Sequence, residues 1–155
     1  MGDFTKEYFA AAKRFLHDCE IVDVSPYGEG HINKTLLVTT PDKRYIMQKM
    51  NTGIFPDSDG LMSNILYVTQ SLRRRGVETL DVVFTDDGKP YLKAADGNYR
   101  MYKFIENTVS YQTTTDKKVL YNSGKAFGKF QNYLADFEHF LCEEKRASVN
   151  TLASY

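Results

Sequence analysis

Between residues 4 and 18 the apolar positions Tyr8, Phe9, Ala12, Phe15 and Leu16 recur at helical spacing, with Lys6, Glu7, Lys13 and Arg14 elsewhere on the wheel. This pattern predicts an amphipathic helix. It then gives way to short strand-like runs. Ile21-Val22-Asp23-Val24 and Thr35-Leu36-Leu37-Val38-Thr39 flank a glycine-bearing segment, Tyr27-Gly28-Glu29-Gly30-His31-Ile32-Asn33, and the turn Pro41-Asp42-Lys43 leads into a third run at 44–50. A loop rich in Gly, Pro and Asp (51–60) precedes a helix near 59–75, where Leu61, Ile65, Val68 and Leu72 share a face. Further runs at 80–85, 91–93 and 99–106 are separated by Asp86-Asp87-Gly88-Lys89 and Asp96-Gly97-Asn98, both turn sequences. From Asp116 onward a long helix is expected, with Leu120, Phe127, Phe130, Leu134 and Phe137 on one side. Gly124 and Gly128 cost that helix about 1 kcal/mol each relative to Ala, which points to close packing against another backbone. The strands are too closely spaced for crossover helices. The expected fold is therefore α/β in the α+β sense: an antiparallel sheet of five to six strands, an N-terminal helix, a helix after the third strand and a long C-terminal helix.

Composition narrows the functional classes. A chain of 155 residues, 42% hydrophobic and 14% aromatic, can bury a core of ordinary size. Twenty basic residues balance twenty acidic ones, so no global field favours nucleic acid or an anionic membrane as partner. The densest basic run, Arg73-Arg74-Arg75, ends a predicted helix, where cations complement the dipole. Cys19 and Cys142 show neither CxxC spacing nor a nearby ligand cluster, which argues against a disulfide framework or a zinc site. The polar start Met-Gly-Asp-Phe-Thr-Lys-Glu is unlike a signal peptide, and no apolar run approaches the ~18 residues of a membrane span. A soluble cytoplasmic protein is expected.

Chemistry concentrates around the glycines. Alone, Gly28-x-Gly30 is a hairpin turn as readily as a ligand loop. A dinucleotide fold would need a helix directly after the glycines, and a Walker loop would need Gly-Lys-Ser/Thr entering one; here a strand follows. A glycine hairpin followed by a third strand bearing a lysine matches the kinase layout instead. There the glycines admit backbone N–H groups to a triphosphate, and a strand lysine neutralises phosphate charge. Lys49 is the candidate lysine. Strand alternation puts Tyr45, Met47 and Lys49 on one face and Ile46, Gln48 and Met50 on the other, so Met47 is expected beside the adenine and Lys49 beside the phosphates. The segment Met101-Tyr102-Lys103-Phe104-Ile105-Glu106-Asn107 runs from a strand into a polar stretch ahead of the long helix, where kinases place the hinge that reads the adenine edge.

These residues resemble the phosphotransferases that include aminoglycoside and choline kinases, and within them the N-acetylhexosamine 1-kinases. The likeness lies in Tyr-Gly-Glu-Gly-His-Ile-Asn-Lys-Thr (27–35), Tyr-Ile-Met-Gln-Lys-Met-Asn (45–51), Gly-Leu-Met-Ser-Asn-Ile (60–65), Asp-Gly-Lys-Pro-Tyr (87–91), Phe-Ile-Glu-Asn-Thr-Val-Ser-Tyr (104–111) and Gly-Lys-Ala-Phe-Gly-Lys-Phe-Gln (124–131), covering about residues 20–137. The resemblance implies a kinase-like N-terminal lobe, with ATP and Mg²⁺ as cofactors and the anomeric hydroxyl of N-acetylglucosamine or N-acetylgalactosamine as acceptor. It implies that Gly28, Gly30 and His31, with Asn33 of the same motif, cover the phosphates, that Lys49 binds them, that Met47 borders the base, and that Phe104, Ile105 and Glu106 form the hinge. His31 reads alternatively as a residue facing the sugar, and an exposed turn histidine weighs as much as these functional readings together. Residues 1–107 would be the nucleotide-binding lobe, and 108–155 a linker and helix leading toward a second lobe.

Two departures qualify this. Kinases pair the strand lysine with a carboxylate on the following helix, but Leu61-Met62-Ser63-Asn64 has none where some relatives carry Glu at the position of Ser63. Asp57 and Asp59 read as helix N-cap residues. The family's catalytic Asp and metal ligands belong to a C-terminal lobe, so no catalytic or metal residue is assigned in this chain, and His17-Asp18 at the end of the first helix cannot stand in. The tail 138–150 lacks the expected Thr-Ile-Pro and Phe-His-like pattern, and a frame change or truncation near Asp136 is the expectation. Exposed apolar surface would then favour self-association. The competing readings are a non-catalytic binding or assembly module, and a kinase lobe for another acceptor such as choline, homoserine or an aminoglycoside.

Overall fold

The computed structural model describes residues 3–28, 30, 32–109, 111 and 113–135, so expectations about His31, Cys142 and the chain beyond residue 135 lie outside the described residues. Among the described residues nine elements follow in order: α1 (Asp3–Phe15), β1 (Asp23–Pro26), β2 (Lys34–Thr39), β3 (Arg44–Lys49), α2 (Ser58–Arg74), β4 (Val82–Val83), β5 (Leu92–Ala94), β6 (Gly97–Lys103) and α3 (Lys117–Leu134). The six strands form one antiparallel sheet in the order β1-β2-β3-β6-β4, with β5 also paired to β6. This is the α+β architecture expected.

Alternation along the strands divides the core in two. Leu36 and Val38 of β2, Tyr45 and Met47 of β3, and Tyr99 and Met101 of β6 face α1, where they meet Tyr8, Ala11, Ala12 and Phe15. Tyr102 of β6, with Met50 and Tyr91, turns to the other side and packs with Leu61, Met62 and Ile65 of α2. Burial of each such side chain contributes about 1.5–3 kcal/mol, and a one-residue slip would exchange Leu36 and Val38 for Thr35 and Leu37, so the register is firmly set. Cross-strand partners are Thr35 with Gln48, Leu37 with Ile46, Gln48 with Arg100, and Ile46 with Tyr102.

Helix α2 begins where Asp57 accepts a hydrogen bond from the Gly60 amide at 2.8 Å. A Cβ at position 60 would lie 2.1 Å from the Asp57 carboxylate, so the cap and the glycine require each other. Asp59 is not a cap: it takes Tyr91 Oη at 2.6 Å and Lys93 Nζ at 3.0 Å. The strand expected over 80–85 shrinks to Val82–Val83, because β5 occupies the rest of the β6 edge and Thr85 instead closes the turn with Lys89. Helix α3 starts at the Asp116 cap and buries no residue among those described; Leu120, Tyr121 and Phe127 are exposed. Among the described residues no atom lies within 4 Å of a Cβ built at Gly124 or Gly128, so none of them supplies the close backbone packing expected there.

Candidate functional site

The glycine hairpin joins β1 to β2. The Tyr27 amide donates to the Thr35 carbonyl at 3.0 Å, closing a turn in which Gly28 has φ +71°, a left-handed conformation that favours glycine. Asn33 ties this turn to the far end of β3, its Oδ1 accepting from the Asn51 amide at 2.9 Å.

Lys49 shares its face with Tyr45 and Met47, as alternation predicts, but that face is the one α1 covers. Met47 has no exposed surface and packs among Leu36, Val38 and Met101. It is a core residue, and the expectation that it borders a base is corrected by this burial. Lys49 Nζ lies 2.7 Å from Asp96 Oδ2 and 5.6 Å from the centre of the Tyr99 ring, whose hydroxyl also donates to Asp96. Burial pushes the Asp96 carboxyl up, but the hydrogen bonds from Lys49 and Tyr99 outweigh it and hold the group below its ordinary range. At Gly97, φ is +144° and a Cβ would stand 2.7 Å from Lys49 Cε, so the lysine stem lies where any other residue would put a side chain. The carboxylate partner sought on the following helix is thus Asp96, in the β5–β6 turn. The register pairing Lys49 with Tyr99 brings that turn alongside, a relation that requires knowing the strand order.

The opposite face is only partly covered. By register it carries Tyr27 and Ser25 of β1, Thr35 and Leu37 of β2, Arg44, Ile46 and Gln48 of β3, and Arg100, Tyr102 and Phe104 of β6 and its extension. Two cross-strand rows cross it. Leu37, Ile46 and Tyr102 form an apolar row; two residues nearer the glycine turn, Thr35, Gln48 and Arg100 form a polar one. Gln48 Nε2 donates to Thr35 Oγ1 at 3.1 Å, while Arg100 Nε donates to Gln48 Oε1 at 3.0 Å. The Arg100 guanidinium carbon is 5.4 Å from the Tyr102 ring centre, and burial pushes the Tyr102 phenol up to about 12. Among the described residues no carboxylate pairs with Arg100.

The expected hinge follows directly. The Phe104 amide donates to the Arg44 carbonyl at 3.0 Å, and the Arg44 guanidinium stacks 4.1 Å from the Phe104 ring centre. Arg44 also forms a two-pronged ion pair with Glu106, whose carboxyl its hydrogen bonds hold below the usual range. Ile105 is partly exposed, its carbonyl accepts from Thr108 Oγ1 at 2.8 Å, and Asn107 takes φ +58°. Tyr27 and Phe104, from β1 and the end of β6, meet edge to face on this side with ring centres 5.8 Å apart. The structure therefore brings Phe104, Ile105, Glu106 and the start of the glycine turn to one side of the sheet, and leaves Met47 and Lys49 on the other. Arg100 and Gln48 were missed in the sequence because their adjacency comes from pairing across the sheet.

A separate cavity of about 640 Å³ opens at the β5 edge, lined by Asp59, Ser63, Asp87, Lys89, Tyr91 and Lys93. Its charges neutralise one another, with Lys93 on Asp59 at 3.0 Å and Lys89 on Asp87 at 3.1 Å. Among the described residues no group of three or more His, Cys, Asp or Glu side chains could hold a metal ion, and no helix is long and apolar enough to cross a membrane.

No protein-family model matches the chain. Among solved structures, the GDP complex of a point mutant of aminoglycoside 2'-phosphotransferase-IIIa aligns with 93% of this chain and 44% of that one, at 16% identity and a TM-score of 0.52. The wild-type GDP complex aligns over 94% and 45%, at 16% identity and 0.47. Spectinomycin phosphotransferase APH(9)-Ia, in complex with ADP and spectinomycin, aligns over 71% and 32%, at 14% identity and 0.45. The chain spans less than half the length of these structures. At 16% identity the shared property is the fold: an antiparallel sheet with a helix after its third strand, as in the kinase-like N-terminal lobe of an aminoglycoside phosphotransferase.

Proposed function

We propose that residues 1–107 form the nucleotide-binding lobe of an ATP-dependent phosphotransferase, and that 108–155 lead toward a second lobe. The observation that carries this reading is the open face, where an apolar row and a polar row lie side by side between a hinge and a glycine turn. A flat base suits Leu37 and Ile46, its hydrogen-bonding edge suits the backbone near Ile105, and phosphates suit the turn at Gly28 and Gly30. The resemblance to N-acetylhexosamine 1-kinases makes the anomeric hydroxyl of N-acetylglucosamine or N-acetylgalactosamine the proposed acceptor. The described residues do not fit Mg²⁺ by themselves, and its ligands are assigned to the nucleotide phosphates and a second lobe.

Titration of the protein with ATP and Mg²⁺, followed by amide NMR, tests the reading. Saturable shifts at Gly28, Ile46 and Ile105 are expected, and an unchanged spectrum at millimolar nucleotide overturns it. The second reading, a non-catalytic assembly module, draws on α3, whose Leu120, Tyr121 and Phe127 are exposed. A silent titration together with concentration-dependent self-association would support that module.

A further inference from the structure

Resting on the nucleotide-binding reading, we propose that the cation receiving the nucleotide's phosphates is Arg100 of β6, oriented by Gln48, and that Lys49 is a structural ion pair with no ligand contact.

The two cations lie on opposite faces of the same sheet. Gln48 and Lys49 are adjacent on β3, and one residue along a strand changes the face. Lys49 lies on the α1 side, held by Asp96 at 2.7 Å with its stem against Gly97. Reaching the open face would require breaking that pair and passing the strands. Arg100 is directly opposite Gln48 and is already on the open face.

Its surroundings match the task. Gln48 donates to Thr35 and accepts from Arg100 Nε, so both ends of its amide are committed and the guanidinium is fixed in azimuth. The terminal nitrogens of Arg100 keep their donors unengaged among the described residues, and these form the planar fork that takes phosphate oxygens in pairs. Thr35 pairs with the backbone of Tyr27 where the glycine turn closes, so the row lies at the foot of that turn. The row from Arg44 to Phe104 is four residues away along β3, about 13 Å of strand, a separation that sets a base at the hinge apart from phosphates at Arg100. Gln48 carries no charge and acts as a positioning residue.

The test compares dissociation constants of ATP, ADP and adenosine for the wild type and for Arg100→Met, Arg100→Lys, Gln48→Leu and Lys49→Met, with thermal unfolding as the check on folding. Loss of a charged hydrogen-bonding partner predicts ATP and ADP binding weakened roughly 10- to 100-fold in Arg100→Met, with adenosine unchanged. Arg100→Lys, which keeps charge but not the fork, should lose about three- to tenfold for ATP. Gln48→Leu should lower the ratio of ATP to adenosine affinity less than Arg100→Met does, while Lys49→Met leaves that ratio within about twofold and lowers the melting temperature. Weakened ATP binding in Lys49→Met alongside unchanged binding in Arg100→Met and Arg100→Lys overturns the assignment while leaving nucleotide binding intact. A wild type that binds none of the three ligands overturns the nucleotide reading and the assignment together.

Discussion

On the α1 side of the sheet, Lys49 is paired with Asp96, lies over the Tyr99 ring and remains partly exposed beside a core that includes Met47 and Met101. On the other side Arg100, which follows Tyr99, the strand partner of Lys49, is oriented by an uncharged amide and meets no carboxylate among the described residues. The same backbone thus uses one cation to complete the fold and presents another for external charge. The difference teaches that a lysine on the expected strand is not evidence of a ligand site until its face is known. Neutralised pairs also fill the cavity at the β5 edge, which marks Arg100 as distinct in its surroundings rather than in its residue type.

The sharpest way to break this comparison is to truncate neighbours on opposite faces. Met47→Ala should cost about 2–5 kcal/mol in urea unfolding, because its side chain is fully buried under α1. Ile46→Ala, on the partly covered face, should cost less than about 2 kcal/mol while weakening nucleotide binding. Equal costs would mean that the faces are misassigned. Gly97→Ala should destabilise by roughly 1–3 kcal/mol, through its backbone conformation and the displaced Lys49 stem, without changing the ATP-to-adenosine affinity ratio. Asp96→Asn removes a group whose folded-state pKa is depressed. Such a group adds stability above its unfolded value of about 3.9 and loses it as pH falls through the lower folded value. The variant should therefore be about 1 kcal/mol less stable at neutral pH, a figure kept small by the pair's partial exposure, and should show a flatter loss of stability in acid than the wild type. Glu106→Gln, at an exposed pair with Arg44, should have the smallest effect of the set, leaving the urea midpoint unchanged within error.

The fold was legible because its signals are local. Helical spacing at Tyr8, Ala12 and Phe15, alternation in β2 and β3, and turn residues at Pro41, Asp86 and Asp96 each specify an element without reference to distant chain. The open face was not, because it depends on which strand lies beside which. The alternation that correctly grouped Tyr45, Met47 and Lys49 could not say that α1 covers them, since the placement of a helix on one face of a sheet is a tertiary choice. The link between Lys49 and Asp96 spans forty-seven residues and was equally hidden. Gly124 and Gly128 show the converse, a local pattern that implied a close neighbour where none of the described residues supplies one.

Strand β6 pairs with β3 along one edge and with β4 and β5 along the other, so most of its amides lie inside the sheet rather than on its rim. In hydrogen exchange such amides open only when the domain unfolds as a whole. Arg100 is therefore anchored to a strand whose amides are expected to exchange last. Loosening the core would reduce the fraction of molecules that are folded, but in each folded molecule the guanidinium would keep its place.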